Sequence, residues 1–199
     1  PNVTDTIDIP TTGLSNLATG SVSFWIYLET GSTSAGDYVV LSGSNTGVGS
    51  SEFALGFVGH VTGVGIICRN NGSGVCTFTC PSSLTRNAWN HVVYTNNSSG
   101  NKVYVNGSQV TPSYSVGSAS TNAFFNSVAS INTCTIGANK DNGGYQWGYD
   151  GNLQELLVYN TQNGISKDYI LNHLHSTKFL QFVSGQGYGT KMPRVSNKI

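Results

Sequence analysis

The chain has 199 residues, a formal net charge of zero and only 9% charged residues, whereas soluble domains average about 25%. The lack of a basic excess excludes an ordinary nucleic-acid-binding body, and the low charge excludes a surface built from ion-pair networks. Hydrophobic residues make up 38% of the chain and aromatic residues 11%, which is enough to fill a core and argues against disorder. The length fits one large all-β domain, or one domain with a short arm.

Short runs that alternate apolar and polar residues, separated by Gly, Asn and Ser, dominate the sequence and predict a β-sandwich or barrel. The predicted strands are, in chain order, 22–28, 38–42, 53–58, 64–69, 75–80, 90–95, 102–105, 134–137 and 151–159. Residues 96–100 are predicted to be a hairpin loop, and Asn106-Gly107 is a type I′ turn signal.

One helix and a tail of different character follow the strands. Residues 165–174 repeat apolar side chains at helical spacing, with Ser166 as N-cap and Asp168 in the first turn. Residues 176–199 contain four Lys or Arg and no acid, for a charge of +4, so residues 1–175 carry −4. The sequence thus predicts a sandwich over residues 1–175 and a basic, Gly-rich arm over residues 176–199.

The arm is a candidate assembly element. It could add to the sheet edge of a neighbour or lie on an acidic surface, or it could fold back on its own sandwich and balance the charge there. The residues that would make these contacts are Lys178, Phe179, Phe182, Tyr188, Lys191 and Arg194.

The four cysteines share strand parity with apolar neighbours and are therefore predicted to face the core. Their spacing matches no zinc-binding pattern. Cys68 and Cys76 flank the turn 71–73 symmetrically, so they are predicted to lie opposite each other in a hairpin. Two alternatives remain open: four buried thiols including Cys80 and Cys134, or one disulfide between Cys68 and Cys76.

No apolar run approaches the roughly 18 residues that span a bilayer, and no signal peptide is visible. The Asn-x-Ser/Thr sequons occur about as often as chance predicts for this composition, so they are not evidence for glycosylation.

A series of motifs carries a family resemblance. Asn-Ala-Trp-Asn-His-Val-Val-Tyr (87–94) is followed by Lys-Val-Tyr-Val-Asn-Gly (102–107), Thr-Ile-Gly-Ala (135–138) and a final strand at 149–160. In order and spacing, this series resembles the pentraxin and laminin-G branch of the concanavalin A-like lectin/glucanase superfamily, over about residues 3–175. The resemblance implies an all-β jelly roll of two antiparallel sheets with one short C-terminal helix. Within it, Trp89 is predicted to fill the core and His91 to be a structural, hydrogen-bonded residue.

Catalysis is not expected. Catalytic members of the superfamily carry a Glu-x-Asp-x-x-Glu strand, whereas this chain has only Glu29, Glu52 and Glu155 as glutamates. Glu155 has no acidic partner at i±2 or i±4, and Asp150 is predicted to point to the other face of its strand. The nucleophile motif Gly-x-Ser-x-Gly is also absent, so the sequence predicts that the protein is not an enzyme.

The segment 139–149 combines three aromatic residues with amides, a carboxylate and glycines, a mixture typical of sugar sites. The candidate ligand-binding residues are Asn139, Asp141, Asn142, Tyr145, Trp147 and Tyr149. The alternative is that Trp147 and Tyr149 close the edge of the sandwich while Tyr145 is merely exposed. Following the resemblance, Asp141 and Asp150 are candidate ligands for Ca²⁺, the single cofactor considered, although Ca²⁺ takes six to eight oxygens and acids are few here.

The sequence therefore favours a non-catalytic binding or adhesion module at an extracellular or virion surface, with cell-surface or particle glycans as partners. The alternative is a structural subunit, such as a capsid decoration, minor capsid or fibre protein. In that case the jelly roll and the arm would pack against neighbouring structural proteins in an oligomer or larger assembly.

Overall fold

The computed structural model describes residues 6–28, 38–58, 62–149 and 151–160. Within these ranges the chain forms strands and a single turn of 3-10 helix at Phe125–Ser127. The strands are β1 (Ile7–Ile9), β2 (Gly20–Tyr27), β3 (Tyr38–Ser44), β4 (Glu52–Phe57), β5 (Val64–Asn70), β6 (Ser73–Cys80), β7 (Trp89–Asn97), β8 (Gly100–Val105), β9 (Ser108–Val110), β10 (Ser113–Val116), β11 (Thr133–Ile136), β12 (Asn139–Asp141), β13 (Gly144–Gln146) and β14 (Asn152–Tyr159).

Two large antiparallel sheets form the sandwich. The seven-stranded sheet has the order β1-β11-β3-β4-β5-β6-β10, and the five-stranded sheet has the order β14-β2-β7-β8-β9. The predicted all-β sandwich is therefore confirmed. The predicted helix at 165–174, the arm at 176–199 and Asp150 lie outside the described residues.

The core lies between the sheets because alternate side chains of each strand face inward. From the five-stranded sheet come Val22, Phe24 and Ile26, all at most 1% exposed. From the seven-stranded sheet comes Phe53, whose ring centroid lies 4.9 Å from that of Phe125. Each such side chain contributes about 1.5–3 kcal/mol when fully buried.

The turns follow the local sequence closely. Asn106 and Gly107 have φ angles of 49° and 77°, which confirms the predicted type I′ turn. The loop predicted at 96–100 is shorter, because β7 runs to Asn97 and β8 begins at Gly100. Asn101 can lie buried in the ladder because its side chain accepts a hydrogen bond from Tyr94 Oη at 2.7 Å and donates one to the Thr121 carbonyl at 2.7 Å.

All four cysteines are buried in the core as thiols, and Cys68 faces Cys76 across the β5–β6 ladder as the sequence predicts. Burial raises the pKa of Cys68 to about 12 and that of Cys76 to about 11. The thiols are therefore protonated and weakly nucleophilic at neutral pH.

Trp89 does not lie where the sequence predicts. Val92 and Tyr94 of β7 face the core, so Trp89, His91 and Val93 lie on the outer face of the five-stranded sheet. The prediction that Trp89 fills the core is wrong; its half-buried ring packs beside Tyr27, with centroids 5.6 Å apart. His91 is buried, with Nε2 hydrogen-bonded to Ser23 Oγ at 2.9 Å, which confirms the predicted hydrogen bond.

Candidate functional site

The segment 139–149 begins as a β-hairpin and is not an irregular loop. β12 pairs with β13 in antiparallel register, Asn139 opposite Gln146. Asn142 and Gly143 form the turn with φ angles of 47° and 77°. An Asn-Gly pair is the strongest short signal for a hairpin turn, so this pair indicates the hairpin in the sequence.

The hairpin lies over the outer face of the seven-stranded sheet, where β12 packs against β3 and β4. Asn139 is buried, and its Oδ1 accepts a hydrogen bond from Ser44 Oγ at 2.8 Å. Asp141 Oδ2 accepts from the Ser50 backbone N–H at 3.3 Å and from Gln146 Nε2 at 3.3 Å. These bonds fix one edge of the hairpin against the sheet.

Trp147 follows the hairpin, and its ring packs on the same face of the sheet. It packs against Val39, Ala54 and Ile67, and its backbone carbonyl accepts a hydrogen bond from the Val39 N–H at 2.8 Å. The Arg69 guanidinium carbon lies 6.0 Å from the centroid of the Trp147 ring. An aromatic surface and a cation are thus adjacent on this face.

Glu52 and Arg69 form an ion pair beside this ring, with Nη1 and Oε1 3.3 Å apart. The Glu52 side chain is 1% exposed, whereas that of Arg69 is 35% exposed and reaches solvent. Burial raises the pKa of Glu52 to about 7; Arg69 opposes the rise and Asp141 adds to it. Sequence reasoning missed both residues as site candidates. Strand parity could have indicated Glu52, because it alternates with the core residue Phe53 and so must face outward.

Two buried polar atoms, one on β4 and one on β12, have no hydrogen-bond partner within the described ranges. They are Glu52 Oε2, an acceptor, and Asn139 Nδ2, a donor. Ser44 is a neighbour of both residues. It pairs with Glu52 in the β3–β4 ladder, and its hydroxyl donates a hydrogen bond to Asn139 Oδ1. An unsatisfied buried polar atom costs about 1–3 kcal/mol, and a hydroxyl can act as donor to one such atom and acceptor from the other.

We refer to Glu52, Arg69, Asn139, Asp141 and Trp147 as the outer-face cluster. It contains three of the six residues that the sequence predicts as ligand-binding: Asn139, Asp141 and Trp147.

The other three predicted residues lie elsewhere. Asn142 is exposed at the hairpin turn. The Tyr145 hydroxyl lies 2.9 Å from Asp8 Oδ1 of β1, with Lys140 Nζ 4.8 Å from its ring centroid, so Tyr145 is tethered rather than free. Tyr149 closes the edge of the sandwich: its ring stacks on Phe57 at 5.9 Å and its hydroxyl donates to the Tyr27 carbonyl at 2.8 Å.

The described residues do not fit a Ca²⁺ site. In the part of the chain that the structure describes, no three His, Cys, Asp or Glu side chains come together as metal ligands. Asp141 Oδ2 already accepts two N–H groups, and the second candidate ligand, Asp150, lies outside the described ranges. Six to eight oxygens are therefore not assembled around Asp141.

Residues 1–163 match the family model Laminin_G_3, described as concanavalin A-like lectin/glucanases superfamily. The chain belongs to this family. No curated protein matches the Laminin_G_3 chain. No helix within its described ranges is long and apolar enough to cross a membrane.

Solved structures share the fold of this Laminin_G_3 chain. The CBM40 domain of the Ruminococcus gnavus IT-sialidase has a TM-score of 0.64 and 19% identity, over 79% of this chain and 83% of that one. The NanB sialidase of Streptococcus pneumoniae has a TM-score of 0.68 and 20% identity, over 91% of this chain and 28% of that one. The leech intramolecular trans-sialidase has a TM-score of 0.64 and 17% identity, over 90% and 28% of the two chains. The chain thus spans little more than a quarter of these two sialidases.

Proposed function

We propose that this Laminin_G_3 chain is a non-catalytic glycan-binding module whose ligand occupies the outer-face cluster. The observation that carries the proposal is the pair of unpartnered buried atoms, Glu52 Oε2 and Asn139 Nδ2, on the sheet face against which the Trp147 ring packs. A sugar offers the matching chemistry, because its hydroxyls both donate and accept while its C–H face packs on an aromatic ring.

The finer proposal is that the sugar carries a carboxylate. Arg69 supplies a cation that is one-third exposed at the edge of the cluster, and a guanidinium can bind a carboxylate through two parallel hydrogen bonds. A similar structure supports this ligand class: the Ruminococcus gnavus CBM40 domain, which is solved bound to alpha2,3 sialyllactose (TM-score 0.63, 19% identity). A sialylated glycan is therefore the ligand to test first.

The proposed role is binding without catalysis, because donors of the protein already engage the two carboxylates of the cluster. Glu52 is held by Arg69, and Asp141 Oδ2 accepts two N–H groups of the protein. Glu155 lies on β14, in the opposite sheet. Glycosidases need two carboxyl groups that face the scissile bond from about 5–9.5 Å apart, free to exchange protons with substrate and water.

We also propose that the module acts at an extracellular or particle surface, where glycans are displayed. In the alternative, a structural subunit, the jelly roll and the arm at 176–199 would pack against neighbouring proteins. The arm lies outside the described ranges, and no described contact favours this alternative.

The experiment compares binding of 3′-sialyllactose and lactose by isothermal titration calorimetry for the wild type and two tryptophan variants. Trp147→Ala removes the ring from the cluster and should weaken binding of 3′-sialyllactose about tenfold, since an aromatic packing contact contributes on the order of 1.4 kcal/mol. Trp89→Ala is the matched control, because this half-buried ring lies on the outer face of the other sheet.

Absence of binding to 3′-sialyllactose and to every glycan of an array would contradict the glycan proposal. Equal loss in both variants would contradict the assigned site. Release of sialic acid or lactose from 3′-sialyllactose, abolished by Glu52→Gln, would show that the module is catalytic.

A further inference from the structure

We propose that the outer-face cluster takes up a proton on Glu52 when it binds a carboxylate-bearing sugar, so that such ligands bind more tightly in mildly acidic than in alkaline solution. This inference rests on the proposed function and adds a mode of regulation to the same site.

The geometry couples the two carboxylates through one cation. Arg69 is the positively charged partner of Glu52, at 3.3 Å, and it is also the group that an incoming carboxylate would engage. A ligand carboxylate would therefore share or take the Arg69 hydrogen bond that now holds Glu52. Its own negative charge would lie close to the Glu52 carboxylate in a largely buried setting, where charge repulsion is strong.

The other groups packed around Glu52 do not compensate for a second negative charge. On β12, Asp141 is a like charge that already acts against ionised Glu52. On β3, the paired residue Ser44 is neutral, and on β5, Cys68 points into the core as a protonated thiol. Lys140 lies on the opposite face of β12 from Asn139 and Asp141. Its Nζ forms an ion pair with Asp8 Oδ2 of β1 at 3.2 Å. Arg69 is thus the one cation that the described elements place against Glu52.

Glu52 of the free protein is already half protonated near neutral pH. The pKa of Glu52 is raised to about 7, with burial as the largest cause. A bound carboxylate raises this pKa further, because it adds a negative charge and weakens the stabilising contact with Arg69. Between the two pKa values the free site is ionised and the occupied site is protonated, so each binding event takes up close to one proton.

The direction of the pH dependence follows from linkage. The dissociation constant should rise by up to about tenfold per pH unit above pH 7 and should be nearly constant below pH 6. The protonated carboxyl also turns Glu52 into an O–H donor as well as an acceptor, which suits a sugar hydroxyl or ring oxygen. A neutral sugar, which brings no charge, should show a much weaker dependence.

The experiment is a calorimetric titration of the whole chain with 3′-sialyllactose from pH 5.5 to 8.5, repeated in buffers of different ionisation enthalpy to count protons. Lactose serves as the neutral probe. The ligand carboxylate stays ionised over this range, since α-carboxyl groups titrate near pH 3.5. For the wild type we expect the dissociation constant to rise at least about fivefold from pH 6.5 to 8, with uptake of half a proton or more at pH 8.

Glu52→Gln tests the assignment of the proton, because glutamine imitates the neutral carboxyl in size and shape. This variant should bind 3′-sialyllactose more tightly than the wild type at pH 8, with no proton uptake and a flat pH profile. If the variant does not fold, the number of protons that the wild type takes up on binding tests the inference by itself.

Binding with a flat pH profile and no proton uptake would overturn this inference and leave glycan binding intact. A Glu52→Gln variant that keeps the wild-type slope would overturn the role of Glu52. Failure of 3′-sialyllactose to bind at any pH would overturn both the inference and the sialylated-glycan proposal.

Discussion

Replacing Glu52 with glutamine should stabilise the protein at alkaline pH and leave its stability nearly unchanged at acidic pH. The pKa of Glu52 is about 7 in the folded chain and 4.5 for a free side chain, because burial disfavours the charged form. Between these values the folded state binds more protons than the unfolded state, so stability falls as the pH rises through this window. A rise of about 2.5 pKa units corresponds to roughly 3 kcal/mol at 1.36 kcal/mol per unit, lost in full above pH 7.

Urea unfolding from pH 5 to 8.5, followed by tryptophan fluorescence, measures this effect. The free-energy difference between Glu52→Gln and the wild type should grow by about 3 kcal/mol over the window and level off above pH 7.5. Glu155→Gln removes an exposed carboxylate of β14 and serves as the control. A Glu52→Gln variant that is less stable than the wild type at pH 8 would contradict this prediction, since it would show that the ionised pair with Arg69 stabilises the fold.

Three further predictions concern the core. Phe53→Ala should cost about 3–5 kcal/mol in urea unfolding, because a ring in contact with Phe125 is lost from a fully buried position; a cost below 1 kcal/mol would contradict the packing. Gly43→Ala should also destabilise, by about 1–3 kcal/mol, because its Cβ would lie 2.7 Å from the Phe125 ring, and an equal melting temperature would show that the ring can move aside. Iodoacetamide should label none of the cysteines of the native protein and all four after unfolding, as read by mass spectrometry, because the thiols are buried and protonated.

The strands could be predicted from the sequence because their signal is local. Val22, Phe24 and Ile26 alternate with polar or half-buried neighbours, and Asn106-Gly107 carries its own turn geometry. The same alternation gives the face of each side chain relative to its neighbours. It does not say which face points inward, so the sequence predicts Trp89 in the core although its ring lies outside the core.

The outer-face cluster could be predicted only in part because its contacts join distant segments. Asn139, Asp141 and Trp147 stand out in one short segment of unusual composition. Glu52 and Arg69 do not, since they are 17 residues apart and meet only through the β4–β5 register. Their approach to the hairpin depends on where β12 packs, which no local pattern specifies.

The most direct test of glycan binding at the outer-face cluster is a titration of the ¹⁵N-labelled protein with 3′-sialyllactose, followed by two-dimensional NMR. Binding at this cluster should cause saturable shifts of the Asn139 side-chain amide, the Arg69 guanidinium and the Trp147 indole N–H. Signals of Trp25 and Trp89, on the outer face of the other sheet, should stay in place. Saturable shifts confined to those two indoles, or no shifts at all, would contradict glycan binding at the outer-face cluster.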